Sequence, residues 1–331
     1  MERQLRKKLK RRIKNPSIEI NYSFIGILTG SDLFRRRIPI MSVKSVNFGP
    51  TIWINAGTHG EEVGGIVVVQ EIFKRLKRNL LKGRVYAFPL TNPMGFETSS
   101  RYITLTEEDL NRAFPGDKEG SLAERMADKI FTTISNTIPD LVLDLHNDWK
   151  ASIPYILIDP QIGSSQTYDK TKIFAFKTGF PVVLDTENVE KTLTYNLLKN
   201  NIPAIAVELG ESYVVNEKNV YEGVKAIWNI LVFLKMVSPI EKFSIDTLDE
   251  KISGKILEYS SKPKSTKSGI IRFLVKPGQI IKKGEPVAKV YNSFGKLLET
   301  IITLDEGLVL GYSDYSVAFP GAPIMALGII K

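Results

Sequence analysis

Two histidines are all that this chain of 331 residues contains, and each closes an apolar, strand-like run: His59 in INAGTHGEEVGG and His146 in LVLDLHND. Imidazole is the commonest protein ligand of transition metals, so histidine used this sparingly and at two strand exits points to metal chemistry. Glu62 follows His59 by three residues, where the run from Thr51 to Gly57 breaks at Gly57 and Gly60 and a helix can begin. A histidine in that turn and a carboxylate in the first helical turn can face one point, which a distant His146 would complete as a His2Glu set. Each motif alone is also what a hydrogen-bonded structural histidine would show. The histidine economy, the glycines around His59 and the run Asp144-Leu145-His146-Asn147-Asp148 together favour the metal. With no cysteine in the chain, histidine and carboxylate are the ligands available, and no disulfide can form.

Strands must alternate with helices to position these groups. TIWINAG reads as a buried strand, and Glu61 to Leu80 as a helix whose Val63, Ile66, Val67, Phe73 and Leu76 share a face. An edge-like segment around Ile38 to Val46 precedes them, and Arg84 to Leu90 is the next strand. A long irregular connection from Thr91 to Gly116 leads to a helix at about Ser121 to Asn136 and a strand, Leu141 to Leu145, that delivers His146. Further strands are expected at 154–158, 182–184 and 204–208, with helices around 168–178, 189–199 and 220–236. The alternation predicts an α/β sheet with helices on both faces. Ligands in such sheets bind at the carboxyl ends of strands, where His59, His146 and Glu208 fall.

From about Ile245 the chain changes to short apolar runs broken by Gly, Pro and Asn, with no helical period, which predicts a small all-β unit. The divisions expected are a basic tail at 1–15, an α/β catalytic unit at 16–240 and a β unit at 241–331.

The formal charge of +9 is concentrated at one end. Residues 1–14 carry eight Lys/Arg against one Glu, a net +7, which leaves +2 for the remaining 317 residues. Such a run reads as a solvated tail; nucleic acid or an acidic membrane surface is the weaker reading. No uncharged apolar run approaches the roughly 18 residues a spanning helix needs. Asn15, Pro16, Glu19 and Asn21 interrupt any secretory pattern, so a cytoplasmic location is expected.

Four motifs, in order, resemble the succinylglutamate desuccinylase and aspartoacylase family of the zinc carboxypeptidase superfamily: Gly57-Thr58-His59-Gly60-Glu61-Glu62, Asp109 to Gly116 (DLNRAFPG), Asp144-Leu145-His146-Asn147 and Val207-Glu208-Leu209-Gly210. The stretch VKPGQIIKKGEPVAKV is similar to the biotinyl-lipoyl-like β domain appended to many members. The resemblance implies a zinc-carboxypeptidase-like mixed sheet with that small C-terminal domain, and one Zn²⁺ per chain on His59, Glu62 and His146, with a position left for water. It implies Glu208 as general base, Arg101 as the stabiliser of the oxyanion, and Asn111 with Arg112 as the grip on a substrate carboxylate. The segment ITLTEE makes the Arg101 spacing longer than the family pattern. Asp144, two residues before His146, either takes the ring proton the metal does not use or begins a loop contact. Lys296 lacks the flanking residues of a carrier lysine, so no biotin or lipoyl group is expected.

The activity implied is deacylation of an N-acyl amino acid or similar small acylated amine. A carboxypeptidase acting on peptide C-termini, a non-catalytic ligand-binding protein of the same fold, and a nucleic-acid-associated protein acting through the tail are the rivals. A homo-oligomer is compatible with the sequence.

Overall fold

A computed structural model describes residues 18–331 apart from 32, 245–247 and 313–314. The basic tail expected at 1–15, and any nucleic-acid contact it would make, lies outside the described residues. The N-terminal two thirds contain β1 (Ile18–Thr29), β2 (Arg35–Ser45), β3 (Thr51–Ala56), β4 (Arg84–Phe88), β5 (Leu141–His146), β6 (Ala151–Ser152), β7 (Tyr155–Ile158), β8 (Val182–Leu184) and β9 (Ala204–Glu208). Between them run the helices α1 (Val63–Asn79), α2 (Pro93–Glu97), α3 (Leu122–Ser135), α4 (Ser165–Lys177), α5 (Leu193–Lys199) and α6 (Glu217–Phe233). Then follow β10 (Ile256–Ser260), β11 (Gly269–Phe273), β12 (Ile280–Ile281), β13 (Pro286–Tyr291), β14 (Leu297–Ile302), β15 (Gly307–Tyr312), β16 (Val317–Ala318) and β17 (Met325–Ile329).

The centre of the main sheet is parallel: β4, β3, β5 and β9 run in one direction. Their residues are apolar on both faces because helices cover both. Ile52, Ile54, Leu141, Leu143 and Leu145 pack with α1 and α6 in one core, whereas Trp53 and Val142, one residue out of phase, pack with α3 and α5 in another. Burying each large side chain in this way contributes about 1.5–3 kcal/mol.

Two features differ from the sequence expectation. The first strand, β1, is twelve residues long and pairs with β2 in a hairpin that forms the sheet edge. Its alternating Ile20, Tyr22 and Phe24 lie exposed on that edge rather than in a core. Second, strands from beyond residue 240 continue the main sheet: β10 pairs in parallel with β8, β17, β15 and β12 follow, and β6 lies alongside β15. The remaining strands form a separate four-stranded sheet in the order β14-β13-β11-β16. The all-β character after Pro239 is otherwise as expected, with one 3-10 turn at Glu241–Phe243.

Candidate metal centre

Strand β3 ends at Ala56, and Gly57, at φ +64°, turns the chain out of the sheet. Gly60 then passes so close to the backbone of α2 that a Cβ there would meet the Gly95 carbonyl carbon at 2.0 Å. This tight turn buries His59 and leaves Glu62 at the N-cap of α1. The Glu62 side chain makes no capping hydrogen bond, although that position rewards one. Its carboxylate is used elsewhere: Oε1 is 2.6 Å from His59 Nδ1 and Oε2 is 2.8 Å from His146 Nδ1. His146, the last residue of β5, reaches this point from the neighbouring strand. The three residues offer ligand atoms that all lie within 4.8 Å of one another, so the expected His2Glu set is assembled.

The rings are held from behind. His146 Nε2 is 3.0 Å from Asp144 Oδ2, and the other oxygen of Asp144 accepts from Asn55 Nδ2 at 2.6 Å. His59 Nε2 is 3.1 Å from Asp109 Oδ1. Carboxylates that accept from Nε2–H leave each Nδ1 lone pair directed at Glu62, the arrangement a metal requires of its histidines. Electrostatics agree with a cation. Burial alone would lower the His59 and His146 pKa values, yet the carboxylates around them raise both, His146 well above its ordinary value. Burial would raise Glu62, but the two imidazoles outweigh it and hold its carboxyl well below the ordinary range. The donor set therefore fits a divalent metal, which would supply the positive charge that protons otherwise provide.

Glu208 closes β9, paired in register with His146 and, across the antiparallel neighbour, with Tyr155. Its carboxylate lines the cavity that also holds His59, Glu62 and His146, and its Oε2 has no hydrogen-bond partner. Burial first, and then the nearby charge of Asp148, push its pKa well above the ordinary value. Arg101 lines the same cavity; its Nε and Nη2 both donate to Asp109 Oδ2, at 3.0 and 2.9 Å, and its Nη1 lies 3.5 Å from His59 Nδ1. Asn111 is buried, accepting from the backbone N–H of Leu193 at 3.0 Å, with its amide nitrogen 3.4 Å from His146 Nε2. Arg112 is exposed at the rim and donates to the Asn111 carbonyl at 2.9 Å. All seven residues singled out from the sequence thus line one cavity of about 170 Å³. Asp109 and Asn55 were given no role from sequence. Asp109 stood within the DLNR motif, and its service to both Arg101 and His59 is legible only once the loop from 98 to 112 is folded over the turn after β3.

Among the described residues, no helix is long and apolar enough to cross a membrane. Comparison with known proteins follows from this geometry. N-alpha-acetyl-L-2,4-diaminobutyric acid deacetylase of Halomonas elongata is 27% identical over 261 residues, 77% of this chain and 74% of that one. The crystal structure of a succinylglutamate desuccinylase/aspartoacylase from Rhodobacter sphaeroides superposes with a TM-score of 0.80 at 20% identity, covering 94% of this chain and 96% of the other. A metallo-carboxypeptidase from Burkholderia cenocepacia matches at TM-score 0.54 and 17% identity, over 66% of this chain and 65% of its own, so the sheet and helices are carboxypeptidase-like in fold. The family described as "Succinylglutamate desuccinylase/Aspartoacylase catalytic domain" matches residues 48–234, more than half of the chain. By that match, and with the four motifs gathered at one cavity, the chain belongs to the succinylglutamate desuccinylase/aspartoacylase family.

Proposed function

We propose that this protein is a zinc-dependent hydrolase that cleaves the linear amide of an N-acyl amino acid into a carboxylate and a free amine. The observation that carries the reading is the His59–Glu62–His146 cluster beside the unpartnered Oε2 of Glu208 in one cavity. The deacetylase relative, whose name gives an N-acetylated amino acid as its substrate, supports the same class. Zinc held by His59, Glu62 and His146 would supply Lewis acidity and bring the pKa of a water toward neutrality. Glu208 Oε2, buried and without a partner, takes the proton of the attacking water and returns it to the leaving nitrogen. Its raised pKa suits this exchange near neutral pH. Arg101, locked in orientation by Asp109, donates to the oxygen on which negative charge develops. Arg112 at the rim and the Asn111 amide grip the amino-acid carboxylate, the guanidinium offering two parallel donors. We further propose residues 16–240 as the catalytic unit and 241–331 as a β unit that walls the cleft.

The test is metal analysis joined to an assay. About one zinc per chain is expected in the wild type, none in His59→Ala or Glu62→Ala, and a full complement in Glu208→Gln, which should lose about 10²–10⁴ in kcat. Turnover of N-acyl amino acids is expected to exceed that of peptides; the opposite preference would move the carboxypeptidase reading ahead.

A further inference from the structure

The amino ends of the parallel strands lie opposite the metal centre and carry a surface of their own. His59, His146 and Glu208 stand at or just beyond the carboxyl ends of β3, β5 and β9. β3 is six residues long, which at about 3.3 Å per residue sets the other end of the sheet about 20 Å away. Three turns meet there. The Ser45 hydroxyl and the Asn47 amide both donate to the Leu81 carbonyl, at 3.0 and 2.8 Å, and the Gly83 N–H donates to the Asn47 carbonyl at 2.9 Å. The turns at 45–50 and 80–83 are thereby fastened together. The turn at 137–140 joins them at the start of β3, where the Thr51 N–H donates to Asp140 Oδ2 and the Asp140 N–H to the Thr51 carbonyl, each at 2.8 Å.

What these turns present to solvent is apolar. Phe48 is 93% exposed, Ile138 83%, Val46 71% and Leu81 49%. Single apolar residues on a surface need no explanation, but four on adjoining turns form a patch. Ile138 is the costliest of them. Its backbone is left-handed, at φ +49°, a conformation that a β-branched side chain adopts only against strain and that Asn accepts far more readily. Neither folding nor solubility accounts for an isoleucine at that place. The charge around the patch is one-sided. Within residues 18–19, 44–50, 78–84, 137–140 and 235–236, Lys44, Arg78, Lys82, Arg84 and Lys235 stand against Glu19 and Asp140. The Leu81 N–H donates to the Met236 carbonyl, which brings Lys235 to this end. Residues 1–14, of net charge +7 and outside the described residues, lead toward β1 at Ile18, which pairs with Ser45 beside the patch.

We propose that this face docks on an anionic lipid bilayer, with Val46, Phe48, Leu81 and Ile138 entering the headgroup layer and the surrounding cations facing the lipid phosphates. Apolar side chains at the centre and cations at the rim are the two terms of binding at a membrane surface, and stable attachment takes both. The charge of residues 1–14 adds to the second term. A nucleic acid would use the cations but leave three aliphatic side chains without a partner. With the patch on the bilayer, the cleft at the far ends of the same strands stays open to water and to small substrates. The docking surface is thus separate from the deacylase chemistry and does not depend on it.

The test is co-sedimentation of the full chain with two sets of vesicles, one of phosphatidylcholine alone and one of two parts phosphatidylcholine to one of phosphatidylglycerol. The protein should pellet with the anionic vesicles, stay in the supernatant with the neutral ones, and be released as salt is raised. Ile138→Asn and Phe48→Ser should each weaken partitioning by about 10-fold. Because Asn suits the left-handed turn, Ile138→Asn should also keep or raise Tm, so that lost binding cannot be ascribed to a lost fold. Both variants should keep the metal content and the hydrolytic activity of the wild type. Equal pelleting with both vesicle sets, or none with either, would overturn the proposal. Pelleting that neither variant weakens would overturn it too, and would leave the attraction to the tail alone. So would tighter binding to a DNA or RNA oligonucleotide than to the anionic vesicles at the same salt, which would give the face to nucleic acid. A solution dimer, seen by light scattering, that Ile138→Asn dissociates would give it instead to a second copy of the chain.

Discussion

Glu62 is where the chemistry and the fold compete for one side chain. At the N-cap of α1 its carboxylate could satisfy a free backbone N–H; it bridges the two Nδ1 atoms instead. Such a departure from local preference is what a functional site produces. Behind it, Asp144 accepts from His146 and from Asn55. Asp144→Asn should keep the fold and weaken zinc about 10- to 100-fold, measured by chelator competition, because the ring loses the acceptor that fixes its tautomer. Unchanged affinity would confine Asp144 to its bond with Asn55. Asp159 gives a second, independent prediction. Its folded pKa, about 7, lies above the ordinary 3.8, so the native state holds a proton that the unfolded chain releases. The contribution to stability is complete below the ordinary value and is lost as pH rises through about 7. Asp159→Asn should therefore stabilise the ligand-free protein at pH 8, by about 1–3 kcal/mol, and far less at pH 4. Urea unfolding at the two values measures it; equal effects at both would mean that Asp159 has a cationic partner in the native state besides the Thr194 hydroxyl.

The turn between β3 and α1 fixes the first two metal ligands, and its tolerance follows from Gly60. A methyl group there would lie 2.0 Å from the Gly95 carbonyl carbon and 2.3 Å from the Phe96 amide, both backbone atoms that cannot rotate away. Gly60→Ala should cost at least about 2 kcal/mol and release zinc at a lower chelator concentration. Loss of stability with metal affinity intact would mean that α2 moves instead of His59. The strand–turn–helix unit itself was readable, since TIWINA is apolar and β-branched, and the expected helix at 61–80 contains the observed α1. The helix expected at 189–199 begins only at Leu193, because Thr192 caps it and the preceding residues line the cavity. Within the long connection expected at 91–116 lie α2 and a 3-10 turn at Leu110–Arg112, whose Asp109 cap also holds His59. No local period encodes them, because they are stabilised by contacts to a strand exit fifty residues away. The strand-end signal that found Glu208 also fits Asp159 and Asp185, but their meaning depends on which strands are neighbours, and the antiparallel turn of β7 against β9 is invisible in the sequence.

At the scale of the molecule, the segment after His146 links the cleft to the C-terminal strands. Asn147 and Asp148 line the cavity, and four residues later Ser152 pairs with Gly311 of β15. Tyr155 donates to Asp148 at 2.5 Å and packs in a small core with Leu257, Leu310 and Ala326. Removing everything after Ser244 would expose the edge of β8 and open that core, so the shortened chain should aggregate. This outcome would not separate a scaffold from a wall of the active site. Gly311→Val does so more gently. A Cβ at Gly311 would stand 2.7 Å from Ser152 Cβ and 2.9 Å from a Trp149 ring atom, forcing the 147–152 segment to move while His59, Glu62 and His146 remain on their own elements. Zinc content should stay at about one per chain. The kinetic constants should change, with kcat/KM reduced by about 10- to 100-fold as Asn147 and Asp148 shift relative to Glu208. A lowered Tm with kcat/KM untouched would assign β15 to support alone; a fall in kcat/KM with the metal retained would make the C-terminal strands part of the catalytic cleft.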